Sequence, residues 1–143
     1  MMKRILIGLV VSLVLVACSF GKSVYELEDA DSKLIMTFDD SLEHVAEVDY
    51  EIQQDIDSKV EFEERHGEQL ERERDLYDGI DGVDYDYDLK EDTFIEKLTV
   101  DYSQFDANDY DMAPFPFRPS HTDEFPMEEF IGQIEEIGLE KVK

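Results

Sequence analysis

Val83-Asp84-Tyr85-Asp86-Tyr87-Asp88-Leu89 is the stretch that decides the fold. Apolar and acidic residues alternate without a break, so Val83, Tyr85, Tyr87 and Leu89 share one face and the three aspartates share the other. Only an extended chain separates them in this way, since successive side chains of a strand point to opposite faces; a helix would scatter the acids all round. Lys90-Glu91-Asp92-Thr93 is a polar turn. The following stretch 94–102 (FIEKLTVDY) is a second strand, with Ile95, Val100 and Tyr102 among its β-formers. The two segments predict a β-hairpin.

Working toward the N-terminus, residues 60–77 change period. Phe62, His66, Gln69 with Leu70, Glu73, and Leu76 with Tyr77 recur on one side at helical spacing. His66 on that side is expected to be a packing residue. Gly67 weakens the helix by up to ~1 kcal/mol relative to alanine, and Asp78-Gly79 or Asp81-Gly82 is expected to end it. Further back, 45–52 (VAEVDYEI), 33–38 (KLIMTF) and 24–27 (VYEL) have strand character, and Asp- and Ser-rich turns separate them. They predict a three-stranded antiparallel meander.

Toward the C-terminus, 103–120 is irregular, and Phe115-Pro116-Phe117-Arg118-Pro119 can continue neither a helix nor a central strand. Pro126 suits the first turn of a final helix. Met127, Phe130 with Ile131, Ile134 and Ile137 form its apolar stripe, and Gly138 is its stop. Residues 139–143 form a tail available as a short edge strand. The order β-β-β-α-β-β-α predicts an α+β, two-layer domain: an antiparallel sheet of about five strands with two helices packed on one face.

The chain opens differently. Met1-Met2-Lys3-Arg4 is a short basic start, and the run 5–16 is interrupted only by Gly8 and Ser12. The run is too short for a transmembrane helix, which needs about 20 apolar residues, but it suits the core of a signal peptide. It ends in Leu15-Val16-Ala17-Cys18, which resembles the lipobox of bacterial lipoprotein precursors. A thiol can accept a diacylglyceryl group as a thioether, and two acyl chains give stable anchoring where one is marginal. Residues 1–17 are therefore read as a signal peptide cut between Ala17 and Cys18. Residues 18–23 are the lipidated cysteine and a short tether, and 24–143 are a single domain. The expected location is the outer face of the bacterial cytoplasmic membrane, or the outer membrane of a Gram-negative cell.

Charge narrows the partners. Thirty-eight acids face 13 bases, for a formal charge of −25, and loss of Lys3 and Arg4 would make it two units more negative. Nucleic acid is excluded as a partner, because phosphate binding needs a basic surface. Electrostatic adhesion to anionic lipid is excluded on the same ground, so attachment to a membrane must be covalent or apolar. Cations and basic proteins remain as partners. The single cysteine forms no disulfide within the chain, and His44, His66 and His121 show no ligand spacing.

The residue types suggest three chemistries. Asp84, Asp86 and Asp88 match the first three ligand positions of an EF-hand loop, but Leu89 stands where glycine is needed and Ile95 where glutamate is needed. The expectation is a solvated strand face, with weak cation binding as the alternative. Paired carboxylates could serve hydrolysis, yet among so many acids a pair carries little information. Phe115, Phe117 and Arg118 are the candidate recognition loop: two rings held between prolines could present an apolar patch beside a cation. The competing reading has both rings plugging the end of the core. No cofactor is called for, and an unknown envelope protein or small ligand is the expected partner of a monomer.

The second half resembles a known family. Asp78-Gly79-Ile80-Asp81-Gly82-Val83, the hairpin end Ile95-Glu96-Lys97-Leu98-Thr99-Val100-Asp101-Tyr102 and the closing Ile137-Gly138-Leu139-Glu140-Lys141-Val142 are similar to the YehR-like family of small bacterial lipoproteins, whose domain has no known function. The resemblance covers most of residues 18–143. It implies an α+β fold and a lipid-anchored location, and marks no catalytic residue. Where the family is lysine-rich, this chain carries many Asp and Glu. The expected function is a non-enzymatic, lipid-anchored binding module, with a calcium-buffering surface protein or a carboxylate-based envelope enzyme as alternatives. Replacing Cys18 with alanine should abolish labelling by radioactive fatty acid and leave the precursor uncut on a gel; unchanged processing would sink the lipobox assignment.

Overall fold

The computed structural model describes residues 22–106, 108–120 and 124–143. The expectations for the signal peptide, Ala17, Cys18 and His121 lie outside the described residues. Six strands run in the order β1 (Ser23–Glu28), β2 (Ser32–Phe38), β3 (Glu47–Asp55), β4 (Val83–Leu89), β5 (Thr93–Asp101) and β6 (Glu140–Lys141). Helix α1 (Lys59–Asp78) lies between β3 and β4, and α2 (Met127–Glu136) precedes β6. One sheet results, ordered β4-β5-β3-β2-β1-β6, with every pairing antiparallel. The meander, the hairpin and both helices form where the periodicity places them. The tail becomes the sixth strand, and β1 begins one residue inside the expected tether.

Register puts the apolar parity of each strand on one side. Val48 faces both Phe38 and Val100, Tyr50 faces Met36 and Leu98, and Tyr85 faces Leu98. Both helices cover this side. α1 lays Tyr77 against Tyr85, with ring centroids 5.1 Å apart. α2 sets Phe130 edge-on to Phe38 at 5.0 Å. The opposite side carries Asp49, Glu51, Lys97 and Thr99, tied by Thr99 donating to Asp49 at 2.8 Å and by the Lys97–Glu51 pair at 3.8 Å. Such exposed pairs contribute little stability, about 0–1 kcal/mol each.

The ends of the elements have local causes. Ser58 caps α1, its hydroxyl accepting from the Glu61 N–H at 3.4 Å. α1 stops at Gly79 with the backbone still right-handed, and Gly82 at φ 85° makes the turn into β4. β5 ends at Asp101, one residue before the expected limit, because the Asp101 carboxylate accepts from the Ser103 N–H at 3.1 Å and turns the chain into a single 3-10 turn (Tyr102–Gln104). Pro126 stands just before α2 rather than inside it. After α2, Gly138 at φ 103° lets the Leu139 N–H reach the Ile134 carbonyl and its own N–H the Glu135 carbonyl, the paired bonds of a Schellman stop.

His66 departs from expectation. It is exposed, and its ring lies tilted against that of Phe62, with centroids 4.7 Å apart. The buried residues of α1 are Leu70 and Tyr77, so the helix turns a narrower stripe to the sheet than its sequence suggests. Among the described residues no helix is long and apolar enough to cross a membrane.

Phe130 has no exposed surface and touches Phe38, Tyr102, Phe117 and Phe125. Phe130→Ala should therefore cost about 3–5 kcal/mol, the range for removing a fully buried ring, read as a lowered urea midpoint.

Candidate functional site

The core-facing parity of β5 runs Phe94, Glu96, Leu98, Val100. Three of these are apolar and buried; Glu96 is a half-buried carboxylate among them. Its cross-strand neighbours are Ile52 on β3 and Tyr87 on β4. Above it lies a cleft of about 290 Å³. The sheet supplies the floor with Tyr50, Ile52 and Leu98, while α1 supplies Glu73 and Tyr77. Pro114, Pro116 and Phe117 form the far wall, with Leu34 and Ile137 at the rim.

The polar groups are arranged around Glu96. The Tyr85 hydroxyl donates to its Oε2 at 2.5 Å. The Tyr77 hydroxyl donates to the Pro114 carbonyl at 2.8 Å and ties the loop to α1. The hydroxyls of Tyr50 and Tyr102 pair at 2.6 Å in the core beneath. Burial raises the Glu96 pKa above the usual carboxylate value and the Glu73 charge adds to the rise; the Tyr85 hydrogen bond only partly opposes it. Burial likewise pushes Tyr85 and Tyr77 well above the ordinary phenol value, helped by the two glutamates. The site thus has apolar walls, a phenol that stays protonated, and a carboxylate held where its charge is poorly solvated. A hydrogen-bond donor or cation entering the cleft would relieve that carboxylate.

The residues singled out in sequence fall in different places. Phe117 is buried, its ring 5.6 Å from Phe130 and 6.3 Å from Tyr50. Phe115 is half-buried against Phe105 at 5.0 Å and Tyr77 at 5.6 Å. The two rings therefore plug the core and do not form an exposed patch, because the loop bridges a gap between the helices that only large rings can fill. Arg118 is the one member at the surface, paired with Asp111 at 3.0 Å. What the loop gives the site is a wall, through Phe117 and the two prolines.

Asp84, Asp86 and Asp88 are exposed on the side of the sheet away from the cleft. The first and third of these positions are about 13 Å apart along the strand, too far for all three carboxylates to close on one ion. Among the described residues no three His, Cys, Asp or Glu side chains are grouped to hold a metal. His44 lies elsewhere, its Nε2 3.2 Å from Glu124.

Glu96 and Glu73 were not singled out as a pair in sequence, though a signal was present. Continuing the alternation from Phe94 through Leu98 to Val100 lands on Glu96, an acid at an apolar position. Its raised pKa has a consequence for stability. The unfolded chain releases this proton at lower pH than the native one, so stability falls as pH rises from the unfolded value through the folded one. Glu96→Gln keeps an acceptor for Tyr85 and loses the buried charge. The stability of the wild type relative to this variant should fall between acid and neutral pH, measured by urea denaturation across that range. A difference independent of pH would contradict the assignment.

The family model for a protein of unknown function, DUF1307, matches residues 24–140. No curated protein matches the chain. Among solved structures, the NMR structure of the E. coli YehR protein superposes with a TM-score of 0.67 at 15% identity, covering 85% of this chain and 90% of that one. At that identity the likeness shows the fold alone. It is the same α+β arrangement of one antiparallel sheet and two helices, and the match over residues 24–140 places this chain in the DUF1307 family, proteins of unknown function with a YehR-like domain.

Proposed function

We propose that the protein is a lipid-anchored, extracytoplasmic binding module, not an enzyme, held at the bacterial membrane surface through Cys18. Its cleft takes a small ligand with an apolar body and a cationic or hydrogen-bond-donating end. The observation that carries this reading is Glu96. Burial on the core-facing side of β5 destabilises its charged form, and the other core-facing positions of that strand, Phe94, Leu98 and Val100, are all apolar. The place of Glu96 at the floor of an apolar cleft gives it a use. Tyr85 already occupies Oε2 and fixes the carboxylate's orientation, which suits recognition of a donor.

The anchoring half of the reading rests on Leu15-Val16-Ala17-Cys18. The acidity fits it, because the chain from Cys18 onward, without Lys3 and Arg4, is two units more negative than the −25 of the full chain, is repelled by anionic lipid, and must be held there by the acyl chains alone.

Arylalkylamines and their neutral alcohol analogues test the cleft. With methyl-labelled protein, the amines should shift signals of Leu34, Ile52, Leu98 and Ile137. They should also bind more tightly than the alcohols by on the order of tenfold, the worth of a hydrogen bond to a charged group. Glu96→Gln should erase the difference. Amines and alcohols that bind alike, or shifts confined to other residues, would remove the proposal.

A further inference from the structure

The two edges of the sheet are finished differently. β1 is covered by β6, which pairs with Tyr25 and Glu26, and the Val24 N–H donates to the Lys143 carbonyl at 2.9 Å. β4 pairs with β5 on one side and, among the described residues, has no strand on the other. The register fixes which of its groups are spare. The Asp101 N–H donates to the Gly82 carbonyl and the Lys90 N–H to the Thr93 carbonyl, each at 2.8 Å. Positions 82 and 90 are therefore turned to β5, and so are the even positions between them. The N–H and C=O groups of Val83, Tyr85, Tyr87 and Leu89 point away from the sheet.

The surroundings of this edge are two-sided. On the helix side, a groove of about 520 Å³ runs between α1 and β4; Leu70, Tyr87 and Leu89 give it an apolar lining, and Glu63, Glu68 and Glu71 flank it together with one cation, Arg72. On the other side stand Asp84, Asp86 and Asp88. A strand added here would lay alternate residues into the groove and the intervening ones beside the aspartates. Two cations of this chain already sit at the edge: Lys90 Nζ lies 3.9 Å from Asp88 Oδ2, an exposed and weak pair, and Arg74 is the second. The Arg74 guanidinium lies 4.5 Å over the Tyr87 ring and 3.2 Å from Asp86 Oδ1, so its side chain crosses from one side of the sheet to the other.

We infer that the β4 edge is a docking site for an extended segment of a partner protein in which apolar residues alternate with Lys or Arg. The backbone of that segment extends the sheet, its apolar residues fill the groove, and its cations pair with the aspartates. Charge selects this occupant over a second copy of the chain, since β4 laid on β4 would set two rows of aspartates side by side. Arg74 marks where one incoming cation sits and must give way to it.

The test uses the full-length chain in non-ionic detergent and an acetylated, amidated peptide of alternating Lys and Val, followed by amide hydrogen exchange. Binding should protect the amides of Val83, Tyr85, Tyr87 and Leu89 and leave those of Asp84, Asp86 and Asp88 nearly unchanged. R74A should bind more tightly. The charge-reversed D84K/D86K/D88K, checked for native chemical-shift dispersion, should lose affinity by about tenfold or more and instead take an alternating Glu-Val peptide. Three results would overturn the inference: no binding up to millimolar peptide, binding without protection of the four outward amides, or equal binding of a peptide interrupted by proline. Concentration-dependent protection of the same amides without peptide would overturn it in favour of self-pairing.

Discussion

The ring of Phe130 is the fixed point of this domain. It meets Phe38 from the sheet, Phe117 from the loop, Phe125 from the segment before its own helix, and Tyr102 from the turn after β5. Three of these contacts are edge-on, the arrangement that suits the charge distribution of aromatic rings. The chain has no tryptophan and one cysteine, so Phe and Tyr supply most of the large buried surface. Self-repulsion among the acids works against compactness, and packing of this kind is what opposes it. The segment holding Phe125 is itself pinned, with the Val45 N–H donating to the Phe125 carbonyl and the Met127 N–H to the Glu43 carbonyl.

The cleft follows from where that packing stops. α1 covers β4, and α2 covers the strands around Phe38, but among the described residues no helix spans the space between them. Phe105, Tyr110, Phe115, Phe117 and the prolines Pro114 and Pro116 fill it from above. Beneath, the sheet continues, and one position of β5 that faces this space is Glu96. A better-filled core would place an aliphatic residue there. The departure from the apolar pattern and the gap in the packing coincide at one side chain, which is why the site is read there rather than among the many exposed acids.

Legibility in the sequence followed the strength of local periodicity. The β4–β5 hairpin was readable because alternation in 83–89 is unbroken, and α2 because Phe130 and Ile134 recur at helical spacing ahead of a glycine that can adopt positive φ. The limits of β5 and the position of Pro126 shifted by one residue, each through a single cap or turn. His66 was misplaced because α1 buries only Leu70 and Tyr77, a stripe narrower than its apolar side. The loop was ambiguous because Phe-Pro-Phe serves a surface patch and a plug equally well in one dimension, and only the gap between the helices decides. Glu96 broke a pattern that could have been followed; Glu73 and the prolines join it from distant segments, a proximity that sequence spacing does not encode.

The pairing of β6 with β1 bears on when folding can finish. Among the described residues, the outer edge of β1 is covered only by residues near 140, and Lys141 also reaches Asp40 at 2.9 Å, beside the Tyr25 hydroxyl at 3.3 Å. The Asp40 carboxyl is opposed by its burial, yet bonds from Lys141, Ser23 and Tyr25 hold it below the usual value. α2, with Phe130, also lies late in the chain. A chain that has formed only the meander and the hairpin can seal neither the core nor the outer edge of β1. Closure waits on two short elements, α2 and β6, that lie far in sequence from the strands they cover.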